Sequence, residues 1–469
     1  MHNYKLNIAQ KRADDFILSL NDDKIKNSSV ISFIYQTNEI NFYSALTLLN
    51  QNKDNLFYYS IPENDFYIAA SGEVFSRSFK NVKQLNKYSE EFLDFNKRIA
   101  HNFESIGYYP PLLFYSAKFP SNKSSEEWSE FEPVKFFIPE VLLIKSDKIF
   151  FYVISMKPDS VIDKKSLIDN FASIADQLYN IDYSFQPYES KPSIKMHRSE
   201  SIDDWKKKID LILSGIAKKE YDKIVLSRVT EFELLKRIGP SELAFLLDKK
   251  YPGCFNFIYK EKNTMFFSAS PEMLFILKNG EIHTEALAGS IERGNNEQED
   301  KSLETALIKS SKDNDEHLFV LDHLKNVLNK YCQNVKVDKS TSLKKLSNIQ
   351  HLHTKLNGSL KNGLDLFSVI KDIFPTPAVG GYPVTPAINI IDKMEDFDRG
   401  LFTGFIGWMN LNNGGEFIVS IRSGLISKNK LYVYAGCGIV PGSDAKKEYE
   451  ETQLKSEAII SLFDYETKN

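Results

Sequence analysis

SPEMLFILKNGEIHTEALAGS, residues 270–290, decides the fold class. Two apolar runs, SPEMLFIL (270–277) and EIHTEAL (281–287), flank Asn279-Gly280, a dipeptide suited to a type I′ turn because both central residues take positive φ. That spacing predicts an antiparallel hairpin. Upstream lie strands near 255–259 and 264–268, a short helix over 241–250 and the β-branched strand KIVLSRVTEFEL (223–234). Ser201, followed by Asp203, Asp204 and an apolar periodic run, predicts a capped helix over 201–219. Downstream, ETALIKSSKDNDEHLFVLDHLKNVLNKY (304–331) has the periodicity of one long amphipathic helix. FIVSIRSGLI (417–426) and KLYVYAGCGIV (430–440) read as paired strands, and KKEYEETQLKSEAIISLF (446–463) as a terminal helix. Strands and helices mix without a regular βαβ repeat, so the fold class is α+β.

The first 190 or so residues read as mixed strands and helices with frequent aromatics. KIFFYVISM (148–156) predicts a strand, YIAASGEVFS (67–76) a hairpin turning at Ser71-Gly72, and SFQPYESKPSIKMHRSES (184–201) a connector. No motif in this half carries chemistry. A net charge of −4 with interspersed signs is a poor footprint for nucleic acid. Three cysteines, Cys254, Cys332 and Cys437, form no CxxC pair, which argues against a disulfide framework or a zinc site. The start lacks the apolar core of a signal peptide, and VLLIKSDKIFFYVI (141–154) is interrupted by Lys145, Asp147 and Lys148. A cytoplasmic enzyme is the expectation.

Several polar residues stand where a plain strand or helix would not need them. Lys223 opens an apolar strand, although an edge lysine alone would explain it. Glu272 follows Ser270-Pro271 at the lip of another strand. Asp313 and Glu316 share one helix face, with His317 adjacent; Glu448, Glu451 and Lys455 share a face of the last helix. Each stripe alone reads as a solvated face, but carboxylates from two helices suit a hard cation such as Mg²⁺. Gly436, Gly438 and Gly289 permit close backbone approach to a carboxylate, while Arg422, within an apolar strand, calls for a carboxylate partner.

Together these segments resemble the chorismate-utilising enzymes, which comprise isochorismate, salicylate, anthranilate and aminodeoxychorismate synthases. YDKIVLSR, FSASPEMLF, HTEALAGSIERG, SSKDNDEH, IQHLHTKLNG, FPTPAVGGYP, RGLFTGFIGW, FIVSIRSG, YAGCGIVPGS and EYEETQLK occur in the family's order over roughly residues 200–465. Residues 1–195 match loosely, as a variable N-terminal region packing on the catalytic region. The resemblance implies large β-sheets covered by helices in one intertwined unit. It also implies roles: Lys223 as the base on attacking water, Glu272 as the acid on the departing hydroxyl, Glu316 and Glu451 as Mg²⁺ ligands with Asp313 and Glu448 nearby. Arg422, Lys455, Gly436 and Gly438 match anchors of the substrate carboxylates, Gly289 and Ser290 a loop lining the ring, and His351 a histidine near the ring carboxylate.

Within the family, Lys223 resembles the members that attack with water, since aminating members carry other residues there. Aminodeoxychorismate synthases place a nucleophilic lysine where this chain has Ala288, and the tryptophan-binding motif of anthranilate synthases is not apparent. Salicylate synthases tend to have Thr, Tyr and Leu where this chain has Ala378, Phe402 and Ile421. The resemblance therefore implies isochorismate synthase activity on chorismate, for menaquinone rather than catechol siderophores, with salicylate synthase the alternative. It implies no amidotransferase subunit, no nucleic acid or membrane partner, and a monomer or homodimer.

Overall fold

Strands Asn55–Ile61 and Phe255–Glu261 are apolar on both faces, and the fold buries both. In the computed structural model, which describes residues 2–37, 41–87, 89–158, 164–179, 185–186, 191–346 and 348–465, these two strands pair antiparallel, with Ser60 opposite Asn256. They sit at the middle of a fourteen-stranded sheet. Phe57, Tyr59, Phe257 and Tyr259 point to one core, while Leu56, Tyr58 and Ile258 point to another. Alternation with period two thus feeds two cores from one strand pair.

A ten-stranded sheet covers the first core. Phe57 meets Phe114 of the strand Leu113–Ala117 with ring centroids 4.7 Å apart, and Phe137 stacks on Tyr259 at 6.1 Å. Helices Phe42–Asn52 and Pro240–Lys250 pack on the opposite face of the larger sheet. There the buried Asp248 accepts hydrogen bonds from Tyr43, Tyr58, Ser60 and Asn256, joining strands distant in sequence. The architecture is α+β, with large sheets and helices in one interleaved body. No helix among the described residues is long and apolar enough to cross a membrane.

The hairpin at 279–280 forms as expected: Asn279 and Gly280 have φ of 53° and 77°, and Lys278 faces Glu281. Asp147 and Lys148, the charged break in the apolar stretch, form a similar turn with φ of 50° and 66° between strands Val141–Ser146 and Ile149–Met156. The Ser201-capped helix spans Ile202–Ala217, and Ser201 accepts from the Asp204 amide.

Four expectations need correction. Residues 67–76 are not a hairpin: Phe66–Ser71 lies in the larger sheet, and Phe75–Phe79 pairs with Val134–Ile138 in the smaller one. Gly72, at φ 72°, turns the chain between them. The connector at 184–201 contains a strand, Ser193–Arg198, paired on one side with the end of Lys223–Leu234 and on the other, at Ser193 and Ile194, with the two-residue edge strand Asp464–Tyr465; residues 184 and 187–190 lie outside the described residues. Residues 195–198 are exposed, which accommodates their charged side chains. The helix expected over 304–331 is two, Glu297–Lys309 and Ser311–Tyr331, because extended Ser310 caps the second by accepting from the Asp313 amide at 3.2 Å. Finally, 417–426 is split. Gly415–Val419 belongs to the smaller sheet, Ser423–Ser427 to the larger, and the chain crosses through Arg422 at φ 51°.

Candidate active site

The crossing at 420–422 brings the two sheets together around one cavity. Its walls include Glu272, Gly289, Ser290, Glu316, His351, Ala378, Phe402, Ile421, Arg422, Gly436, Gly438 and Lys455. Larger surface clefts of about 1110 and 990 Å³ contain none of these residues, so chemistry rather than size marks the site. The cavity measures about 60 Å³. That is room for only a few waters.

Lys223 and Glu316 meet where the helix Ser311–Tyr331 passes the strand pair Lys223–Leu234 and Lys430–Ile439. The Lys223 Nζ lies 3.1 Å from Glu316 Oε1 and is buried, one contact back from the cavity wall. Gly438 is required there, since a Cβ would come within 2.1 Å of Glu316 Oε1 and 2.9 Å of Lys223 Cε. Gly436 similarly makes room for Ser227, and its carbonyl accepts from Lys455 Nζ at 3.0 Å. At Gly289, φ is 75° and the strand Glu281–Glu292 is bulged against Ile349–Leu360, so the ring-lining loop is a bulge inside a strand rather than its end.

Glu272 occupies the short link between strands Thr264–Ser270 and Met273–Lys278. Burial, followed by the charge of Glu285, pushes its pKa up to about 7 against the pull of Lys344, Lys223 and Arg422. A carboxyl so placed holds its proton near neutrality. Arg422 is buried, yet no carboxylate among the described residues forms an ion pair with it; its NH2 reaches His351 Nε2 at 3.4 Å. His351 also meets Ser290 Oγ at 2.9 Å, and burial with Arg422 and Lys455 keeps the ring neutral. His317 is a core residue: it bonds Thr354 at 2.8 Å, and burial lowers its pKa to about 4.

The acidic helical residues converge, but each is engaged. Glu448 pairs with Lys312, Glu451 with Lys455, and Glu316 with Lys223, while Asp313 is bonded to its own helix cap, Ser310. Consequently no three carboxylates among the described residues meet at one point. Two observations nonetheless fit a hard cation. Glu448 Oε2 is buried without a hydrogen-bond partner, and burial followed by the charge of Glu451 raises the Glu448 pKa to about 7. Crowded, partly orphaned carboxylate oxygens are the donor set a Mg²⁺ ion takes.

Sequence reasoning passed over three features. Lys312 is the counter-cation of Glu448. Glu285, Lys344 and His353 form a network beside Glu272. Arg399, fully buried, donates to Glu395, to the carbonyls of Val379 and Val225 at 2.9 and 2.7 Å, and to Thr403, while Glu395 accepts from the Ser227 amide. Val225, Ser227, Val379 and Thr403 all line the cavity, so this ion pair holds its wall. Glu285 and His353 offered a signal, polar residues at buried positions of strands; Arg399, outside any helix or strand, and Lys312, in a charged stretch of helix, offered none. Arg399→Ala is expected to lower unfolding free energy by about 3–5 kcal/mol, because Glu395 would be left buried and unpaired; a urea melt reads this directly.

An acid and an amine beside one cavity, with a buried guanidinium that has no carboxylate partner among the described residues, suit proton transfer on a small carboxylated substrate. That chemistry is the kind found in acid–base enzymes acting on small anionic substrates. The chain belongs to the chorismate-binding enzyme family, whose model matches residues 15–464. It is 32% identical over 421 residues, 87% of this chain and 87% of the other, to isochorismate synthase MenF of Bacillus subtilis (strain 168). It is 34% identical over 255 residues, 54% of this chain and 53% of the other, to the salicylate biosynthesis isochorismate synthase of Pseudomonas aeruginosa. In fold it is similar to MenF, the menaquinone-specific isochorismate synthase from Escherichia coli, with a TM-score of 0.75 at 21% identity, covering 93% of this chain and 95% of that one.

Proposed function

We propose that this chain is an isochorismate synthase serving menaquinone synthesis. The observation that carries the reading is the conjunction, around one cavity, of a carboxyl held protonated near pH 7, a buried amine one contact behind the wall and a buried guanidinium lacking a carboxylate partner. The relatives named above support the same activity over most of the chain. Water adds at C2 of chorismate, the C4 hydroxyl leaves and the ring double bond shifts. Lys223 accepts the proton of the attacking water, and Glu272 gives one to the departing hydroxyl. One hydroxyl is gained and one lost, so the product is an isomer. Lys223 Nζ lies 3.1 Å from Glu316 Oε1, so that contact has to give way before the amine can reach the attacking water.

Arg422 and Lys455 hold the substrate carboxylates, with His351 and Ser290 fixing the Arg422 side of the pocket. Ala378, Phe402 and Ile421 form the wall that sets the pose of the enolpyruvyl group. Glu316 and Glu451 would hold Mg²⁺, with Glu448 and Asp313 beside them. The ion would neutralise and orient the ring carboxylate. Glu451→Gln is expected to weaken Mg²⁺ binding about 10–100-fold; calorimetric titration of the metal with an unchanged affinity would remove Glu451 from that set.

The reading is tested by incubating the protein with chorismate and Mg²⁺, separating the products and identifying them by mass and proton NMR. An isomer of unchanged mass that keeps its enolpyruvyl ether is expected. Free pyruvate with salicylate would instead support a salicylate synthase, and product formed only with ammonia an aminating enzyme.

A further inference from the structure

Glu272 sits between two anchored peptide groups. The Pro271 carbonyl accepts from Lys344 Nζ at 2.6 Å, and the Met273 amide donates to Glu285 Oε1 at 3.2 Å. Those two anchors are themselves joined, since Lys344 Nζ donates to Glu285 Oε1 at 2.7 Å. The other Glu285 oxygen lies 2.7 Å from His353 Nε2. A lysine from the short strand Ser342–Lys345, a glutamate from Glu281–Glu292 and a histidine from Ile349–Leu360 therefore close one bracket around the backbone of residue 272. Glu285 and His353 are buried, Lys344 three-quarters so.

We propose that Glu285 and Lys344 are positioning residues for Glu272, fixing the backbone on both sides of it and imposing opposed fields on its carboxyl. This rests on the reading of Glu272 as the acid that protonates the leaving hydroxyl. The bracket is asymmetric in charge. Burial opposes ionisation of Glu285, but His353 and Lys344 outweigh it and hold its pKa at about 2, so it stays anionic through the working range. Glu272 thereby keeps a permanent negative neighbour in a buried site. The other charges that weigh most on Glu272 are positive: Lys344 on its own side, Lys223 from the strand Lys223–Leu234, and Arg422 from the crossing between the sheets. Without Glu285, burial alone would have to keep the proton on Glu272 against those cations, and the carboxylate would form at lower pH.

The test is the pH dependence of kcat/KM for chorismate conversion at saturating Mg²⁺, in which the alkaline limb reports the acid of the free enzyme. Glu285→Gln removes the negative neighbour while leaving an oxygen for the Met273 amide. Its alkaline limb is expected to move to lower pH by about one pH unit. Lys344→Met removes a cation, and its limb should move to higher pH by a similar amount. A merely structural role would not move the two limbs in opposite directions. Limbs unmoved in both folded variants, or moved the same way, would overturn the inference while wild-type activity stood. If Glu285→Gln does not fold, the Lys344→Met arm decides alone, since an unmoved or lowered limb there overturns the proposal. A wild-type chain that makes no isochorismate, or a Glu272→Gln variant that remains active, would instead overturn the functional reading, and this inference with it.

Discussion

Lys223→Ala is expected to cut kcat/KM on chorismate by about 10²–10⁴-fold, the range a positioned general base contributes. The variant should keep its far-UV circular dichroism, because the residue caps neither a helix nor a turn and its strand has ten register partners on Lys430–Ile439. The physical argument is one of location. The amine is fully buried, its neighbour Gly438 has no room for a side chain, and among the described residues Glu316 is the carboxylate at ion-pair distance. Removing it deprives water of its proton acceptor and leaves Glu316 without that partner. The variant should therefore also melt earlier than wild type in metal-free buffer. Turnover retained within threefold at neutral pH would exclude Lys223 as the base.

Glu272→Gln should produce a loss of similar size, about 10²–10⁴-fold in kcat, with KM changed far less. Glutamine preserves the shape and can donate a hydrogen bond, but it cannot release a proton to a leaving hydroxyl. In the wild type the sign of the pH effect follows from the raised pKa. The acid form is the active one, so kcat/KM holds below about pH 7 on this limb and falls as the pH rises through that value. An acid with an ordinary glutamate pKa would already be spent at neutrality. The limb should disappear in Glu272→Gln, leaving a low and flat rate. A profile that rises through pH 7 in the wild type would contradict the assignment.

The candidate site was legible to an unusual degree because its residues lie in short segments with recurring order, and order is a property of the chain. Those segments, and the hairpin at Asn279-Gly280, depend on residue type and on local backbone preference, neither of which needs a distant contact. The misreading of 417–426 has a physical cause. At Arg422 the apolar pattern runs on at either side while the backbone turns, because periodicity records what is buried and not which surface buries it. At Gly72 and Ser310 a single residue redirects the chain between elements that local patterning reads as continuous.

Sequence by itself determined the hairpin, the strands at 223–234 and 430–439 though not their pairing with each other, the helices that carry Glu316 and Glu451, and the side chains that gather around the cavity. Only the tertiary structure decided that Arg422 stands at a crossing between two sheets, that each metal-type carboxylate is matched by a lysine or a cap, and that Glu285, Lys344 and His353 bracket Glu272. The reason is that a residue's type and local conformation are written in its near neighbours. Its protonation and its partners depend on which charges long-range packing brings within a few ångströms in a dry interior.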